Sequence, residues 1–125
     1  MAPVDTSRAR LLHRVEDFDT WLAEHGAKES DFVAAIYKKS TGKQTVTFEE
    51  LLDLALCHGW VDVKTKRIDD ETYAIQFVPR RVGSNWSRTN RDRARRLVRE
   101  GRMRPTGAAL LPDDLDTEVG DSPGT

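Results

Sequence analysis

Thr47-Phe48-Glu49-Glu50-Leu51-Leu52-Asp53-Leu54-Ala55-Leu56-Cys57-His58-Gly59-Trp60-Val61-Asp62-Val63-Lys64-Thr65 changes its apolar period partway along, and that change sets the fold class. Thr47 and Glu50 stand at capping-box spacing, where the hydroxyl accepts from a first-turn amide and the glutamate reaches back to the backbone of Thr47. Leu51, Leu52, Ala55 and Leu56 then form one helical face, and Gly59 predicts the stop. From Trp60 the pattern shortens to alternation, the signature of a strand. Tyr73-Ala74-Ile75-Gln76-Phe77-Val78 alternates in the same way after a polar link holding Asp69 and Asp70, so the two segments predict an antiparallel pair.

Upstream, Phe18, Trp21 and Leu22 recur at helical spacing before Gly26, which predicts a helix over 15–25. Phe32-Val33-Ala34-Ala35-Ile36-Tyr37-Lys38 is short, apolar and followed by the turn residues Ser40-Thr41-Gly42-Lys43, which predicts another strand. Downstream of Pro79 a loop runs through Arg80-Arg81-Val82-Gly83-Ser84-Asn85-Trp86-Ser87. A helix capped by Asn90 is expected from there to Glu100 with Gly101 as its stop, and a last short helix near Thr106. Helix, strand, helix, strand, strand, helix gives an α+β fold, a small mixed or antiparallel sheet of about three or more strands with helices packed mainly on one side. One domain over residues 15–111 is expected, with a flexible leader over 1–14 and an acidic disordered tail over 112–125.

The chain of 125 residues has a net charge of −1, a sum that hides a division. Residues 80–104 carry ten arginines and two acids, whereas residues 105–125 carry five acids and no base. Such a basic block attracts phosphate, carboxylate or nucleic acid unless its charges are paired on a solvated helix face. No run reaches the roughly 18 apolar residues of a membrane helix and Met1 to Arg10 holds no apolar signal stretch, so no membrane span and a cytoplasmic protein are expected. A single cysteine, Cys57, excludes an internal disulfide, and His13, His25 and His58 offer no zinc spacing with it. P-loop, GxSxG and dinucleotide fingerprints are missing, so neither metal nor cofactor is expected.

Two segments combine tryptophan, glycine and polar groups: Cys57-His58-Gly59-Trp60-Val61-Asp62 and Pro79-Arg80-Arg81-Val82-Gly83-Ser84-Asn85-Trp86-Ser87, with Asn90 close behind. Glycine permits a tight backbone path, and an aromatic plane beside guanidinium and amide groups suits a planar or anionic ligand. The expected ligand-binding set is Trp60, Asp62, Arg80, Arg81, Ser84, Asn85, Trp86, Ser87 and Asn90. The competing reading makes Trp60 a core residue closing a corner and lets the arginines pair with Asp62, Asp69 or Asp70 to fix the loop. Asp62 should share a strand face with Trp60 and Lys64, and an inward carboxylate there is the one candidate acid or base. Cys57 and His58, as helical neighbours, point about 100° apart and make a poor catalytic pair. Arg91, Arg95, Arg99 and Arg102 align as a basic helix face, against which Asp92, Arg96 and Glu100 form a self-paired strip.

Ala55-Leu56-Cys57-His58-Gly59-Trp60-Val61-Asp62, then Phe77-Val78-Pro79-Arg80-Arg81-Val82-Gly83-Ser84-Asn85-Trp86-Ser87-Arg88-Thr89-Asn90, then Gly101-Arg102-Met103-Arg104-Pro105-Thr106-Gly107, resembles the YdeI/OmdA family of bacteriocin-protection or OmpD-associated proteins over about residues 15–110. Val63 departs from the glycine usual after the Trp-x-Asp corner, and the acidic tail replaces a further helical region. The resemblance implies a role in stress or in bacteriocin and peptide tolerance, with no established reaction. The leading expectation is a binding or protection protein that takes a small anionic or aromatic molecule or a peptide carboxylate. An enzyme using Asp62 with Arg80 and Arg81 is the alternative, nucleic-acid binding through the Arg91–Arg102 helix ranks behind both, and a domain acting only through a protein partner is the fourth reading. Oligomeric state is left open.

Overall fold

The structure is a computed structural model and describes residues 3–115. Its elements run β1 (Arg10–Leu11), α1 (Val15–His25), β2 (Phe32–Tyr37), α2 (Phe48–His58), β3 (Trp60–Arg67), β4 (Thr72–Pro79), α3 (Arg88–Arg99) and α4 (Pro105–Ala108). The four strands form one mixed sheet in the order β1-β2-β4-β3, with β1 parallel to β2 and the other pairs antiparallel. This is an α+β fold.

Alternation places Phe32, Ala34 and Ile36 of β2 beside Ile75 and Phe77 of β4 on one sheet face. Phe18 and Leu22 of α1 and Leu51 and Ala55 of α2 close over them, joined by Leu12, Val46 and Trp60. Phe18 lies between Phe32 and Phe77, with ring centroids 5.1 and 4.9 Å away. Each such buried large side chain contributes about 1.5–3 kcal/mol, and aromatic contacts of this kind add somewhat more. The capping box forms as read: Thr47 Oγ1 accepts from the Glu50 amide at 3.1 Å, and the Thr47 amide donates to Glu50 Oε1 at 2.9 Å. Helix α3 does not lie on the sheet. It packs on the outer side of α2, where Leu56 and Cys57 meet Ala94, Leu97 and Leu115.

Four expectations change. Residues 3–14 do not behave as a leader: Val4 is buried with Val33 and Ala74 on the second sheet face, and Arg8 makes two hydrogen bonds to Asp31 at 2.9 and 2.5 Å. A two-residue strand and one buried valine leave no periodic signal in a polar stretch, which is why the pattern misses them. Helix α3 begins earlier than Asn90, because Ser87 is the cap and its Oγ accepts from the Asn90 amide at 3.1 Å. Lys64 leaves the face it was assigned. The β3–β4 register shifts between Asp62, opposite Phe77, and Lys64, opposite Gln76; the extra residue of this bulge, Val63, is exposed. One inserted residue inverts the alternation that follows it. The expected acidic tail begins inside the fold, since Leu115 is buried and Asp114 accepts from Arg91 Nη1 at 3.0 Å; its residues 116–125 lie outside the described residues.

Candidate functional site

Gly59 builds the corner from which the site grows. Its φ of +85° is a left-handed conformation that closes α2, and a Cβ there would meet Leu110 Cδ1 at 2.9 Å and the Thr106 carbonyl oxygen at 3.0 Å. Glycine is therefore required on two grounds, backbone angle and space. The chain leaves directly into β3, whose first residue, Trp60, pairs with Pro79 at the end of β4. One step further, the Arg80 amide donates to the Gly59 carbonyl at 2.8 Å, so the loop after β4 is tied to the corner.

In that loop Arg80 Nη1 donates to Ser84 Oγ and to the Asn85 carbonyl, both at 3.2 Å, and its guanidinium lies 4.0 Å from the centre of the Trp86 ring. Stacking and a fixed pair of acceptors hold the planar group in one orientation. No carboxylate among the described residues comes within ion-pair distance of Arg80. Burial pulls the Arg80 guanidinium below its ordinary value, with the charge of Asp62 acting in the opposite sense.

Asp62, Arg80, Arg81, Ser84, Asn85, Ser87 and Asn90 line one open cleft of about 380 Å³, with Val61, Val63, Val78 and Pro79 as its apolar wall. Seven of the nine residues expected from sequence thus share a cleft. Trp60 does not: it is only 3% exposed, and its ring meets Trp21 edge-on at 5.5 Å, so it is a core residue at the corner. It shares only a tiny void of about 10 Å³ with Asp62, Arg80 and Asn90. Trp86 stands behind Arg80 and faces a second hollow of about 490 Å³ bounded by Arg91, Leu110 and Pro112.

Two of the three alternative partners for the loop arginines are occupied elsewhere. Asp69 Oδ1 accepts from the Glu71 and Thr72 amides at 2.9 and 2.8 Å, closing the β3–β4 link, and Asp70 pairs with Arg67. Among the described residues that line the cleft, Asp62 is the sole carboxylate and no histidine or cysteine accompanies it. The arrangement can hold an anion by bidentate and charge-assisted hydrogen bonds, but it does not assemble a paired acid and base.

The basic helix resolves differently from its expected rows. Asp92 pairs with Arg95 and not with Arg96, while Arg96 reaches Glu100 and, across to α2, Asp53 Oδ1 at 2.6 Å. Arg93 also reaches Asp53 Oδ1, at 2.5 Å, and Glu49 Oε2 at 2.7 Å. Arg91, Arg95 and Arg102 of the expected basic face are all engaged with carboxylates. The packing of α3 against α2 brings Glu49 and Asp53 within reach, contacts across 40 and 44 positions that helix periodicity cannot show.

Sequence reasoning also missed a second cluster. His58 Nε2 lies 2.7 Å from Asp19 Oδ1, and Arg104 Nη2 lies 3.4 Å from Asp19 Oδ2. Cys57 turns away into the core, where burial pushes its thiol up and leaves it a poor nucleophile. Nothing in the local pattern around His58 signals residues 39 and 46 positions distant.

A small α+β domain with an arginine-lined cleft at one end of its sheet is the class that fold and site define. Comparison with known families matches residues 10–110 to DUF8412, a domain of unknown function, and the chain belongs to that family. The resemblance to the YdeI/OmdA family is thereby overturned, since DUF8412 is the family found over those residues. The motifs that carried it have local structural reasons: Gly59 turns the corner, Pro79 closes the strand ladder, and the Arg104 amide donates to the Cys57 carbonyl at 3.0 Å. The bacteriocin and stress roles lose their basis with it. Searches of curated proteins and of solved structures return no match. Among the described residues no helix is long and apolar enough to cross a membrane, and no group of three or more metal-ligating side chains is found.

Proposed function

We propose that this domain binds a small anionic molecule, through a carboxylate or phosphate group such as the C-terminal carboxylate of a peptide, in the cleft between the β3 corner and the Arg80–Asn90 loop. The observation that carries the reading is Arg80: a guanidinium half-removed from water, oriented by Ser84, Asn85 and Trp86, and without a carboxylate partner. Arg81, exposed at the mouth, adds a second positive charge, and Ser84, Asn85, Ser87 and Asn90 add neutral polar groups. Asp62 in the same cleft would select for a ligand that also carries a donor or a positive group. An aromatic ligand is served less well, because Trp60 does not line this cleft and one face of Trp86 is taken by Arg80. A cytoplasmic setting suits the single free thiol, Cys57.

The test is amide chemical-shift titration with inorganic phosphate, succinate and an N-acetylated dipeptide. Saturable shifts at Ser84, Asn85, Ser87 and Asn90 are expected, with affinity weakened about tenfold in Arg80→Gln and less in the exposed Arg81→Gln. If no probe moves these amides, or both variants bind as the wild type does, the proposal is wrong.

A further inference from the structure

On the other side of the Gly59 corner lies a cavity of about 230 Å³ that shares no lining residue with the arginine cleft. Leu22, Ala23, Gly26 and Ala27 of α1 and the following turn form one wall, Trp60 another, and His58, Arg104 and Thr106 supply its polar groups. The His58 side chain is 6% exposed, so every hydrogen bond it makes or lacks matters. Asp19, as a carboxylate, can only accept, so the Nε2 it faces carries the proton. A neutral ring then has Nδ1 as a bare acceptor.

That second nitrogen has no partner among the described residues. It is not sealed either: of the described side-chain nitrogens and oxygens, Arg93 Nε is the one fully buried without a partner. A histidine kept for packing alone would spend both ring nitrogens on the protein, because an unsatisfied one carries a desolvation penalty. Here one nitrogen is fixed by a carboxylate and the other is neither partnered nor fully buried, on a side chain that lines a cavity, the pattern of an oriented acceptor. Arg104 stands at the rim with its amide tied to Cys57 and its guanidinium reaching Asp19 at 3.4 Å, so a cation overlooks the same space.

We infer that this cavity is a second ligand site, for a small ring-bearing carboxylic acid that also carries a hydroxyl. The carboxylate meets Arg104 at the rim, the ring lies along Leu22 and Trp60, and the hydroxyl donates to His58 Nδ1. The volume, below the usual range of roughly 300–1,000 Å³ for drug-sized ligands, suits a single ring. The inference stands apart from the arginine cleft and survives or fails independently of it.

The experiment observes the His58 ring nitrogens by long-range proton–nitrogen NMR on the full chain, during titration with 4-hydroxybenzoate, 3-hydroxybenzoate and 4-hydroxyphenylacetate. The free protein should show the Nε2–H tautomer, and at least one hydroxyacid at millimolar concentration should shift His58 Nδ1 saturably. Benzoate, which lacks the donor, and phenol, which lacks the carboxylate, should each bind about tenfold more weakly. Arg104→Gln, at an exposed position that leaves the core intact, should erase the advantage of hydroxyacid over phenol. An Nδ1–H tautomer in the free protein, no Nδ1 shift with any of the three acids, or an unchanged preference in Arg104→Gln would overturn the assignment.

Discussion

The arginines of α3 and those of the loop before it belong to one run of positive charge, and the fold uses them in opposite ways. On α3, Arg93 is held between helices with its side chain 10% exposed, and it shares Asp53, 13% exposed, with Arg96 while Arg102 stands 3.7 Å from the other carboxylate oxygen. A guanidinium taken this far from water is tolerated only where carboxylates compensate it. Arg80 is also half-buried, yet it is compensated by a tryptophan face and neutral oxygens, and its charge stays available. Positive charge density in a sequence therefore says little about what the charge is for. Between Arg80 and the α3 arginines, what decides is whether an acid from another element arrives at the same place.

The contrast can be broken from the helix side, where the largest effect is expected. Asp53→Ala leaves Arg93 and Arg96 facing a buried gap, and should lower unfolding free energy by about 3 kcal/mol or more, read by urea denaturation. A loss below about 1 kcal/mol would mean that the cluster is only a solvated surface network. The smallest effect belongs to a third kind of arginine, the exposed Arg8 paired with Asp31. Hydrogen bonds from Arg8 and then Gln76 hold the Asp31 carboxyl below its ordinary value. The unfolded chain then takes up that proton at higher pH than the folded one, so the contribution is present above about pH 4 and fades as pH falls below it. Wild type should exceed Asp31→Asn by about 0.5–1 kcal/mol at neutral pH, and the difference should shrink toward pH 3 in matched denaturation curves. A difference independent of pH would contradict this account of the carboxylate.

How much the sequence shows follows from how local each cause is. The α2 capping box, the Gly59 stop and the β3–β4 pairing depend on residues a few positions apart, and each forms where its pattern falls. Seven of the expected residues meet in one cleft because five of them, from Arg80 to Ser87, lie in one loop that Pro79 and the Trp60 pairing tie to Asp62. Trp60 was ambiguous for a physical reason: tryptophan serves equally as platform and as core, and only the approach of Trp21 decides. The bulge at Val63 has no glycine to announce it, Ser87 and Asn90 are equally good caps on paper, and the Asp19–His58 and Asp53–Arg93 contacts join elements 39 and 40 residues apart. Tertiary geometry alone selects among these.

The central claim, that one basic run divides into a structural part and a ligand-binding part, is tested most directly by measuring phosphate affinity and unfolding free energy together in Arg80→Gln and Arg93→Gln. The expected result is a double dissociation: Arg80→Gln loses affinity about tenfold with stability changed by less than about 1 kcal/mol, and Arg93→Gln keeps its affinity while losing about 2 kcal/mol. Equal losses in both variants, or weakened binding from Arg93→Gln alone, would contradict it.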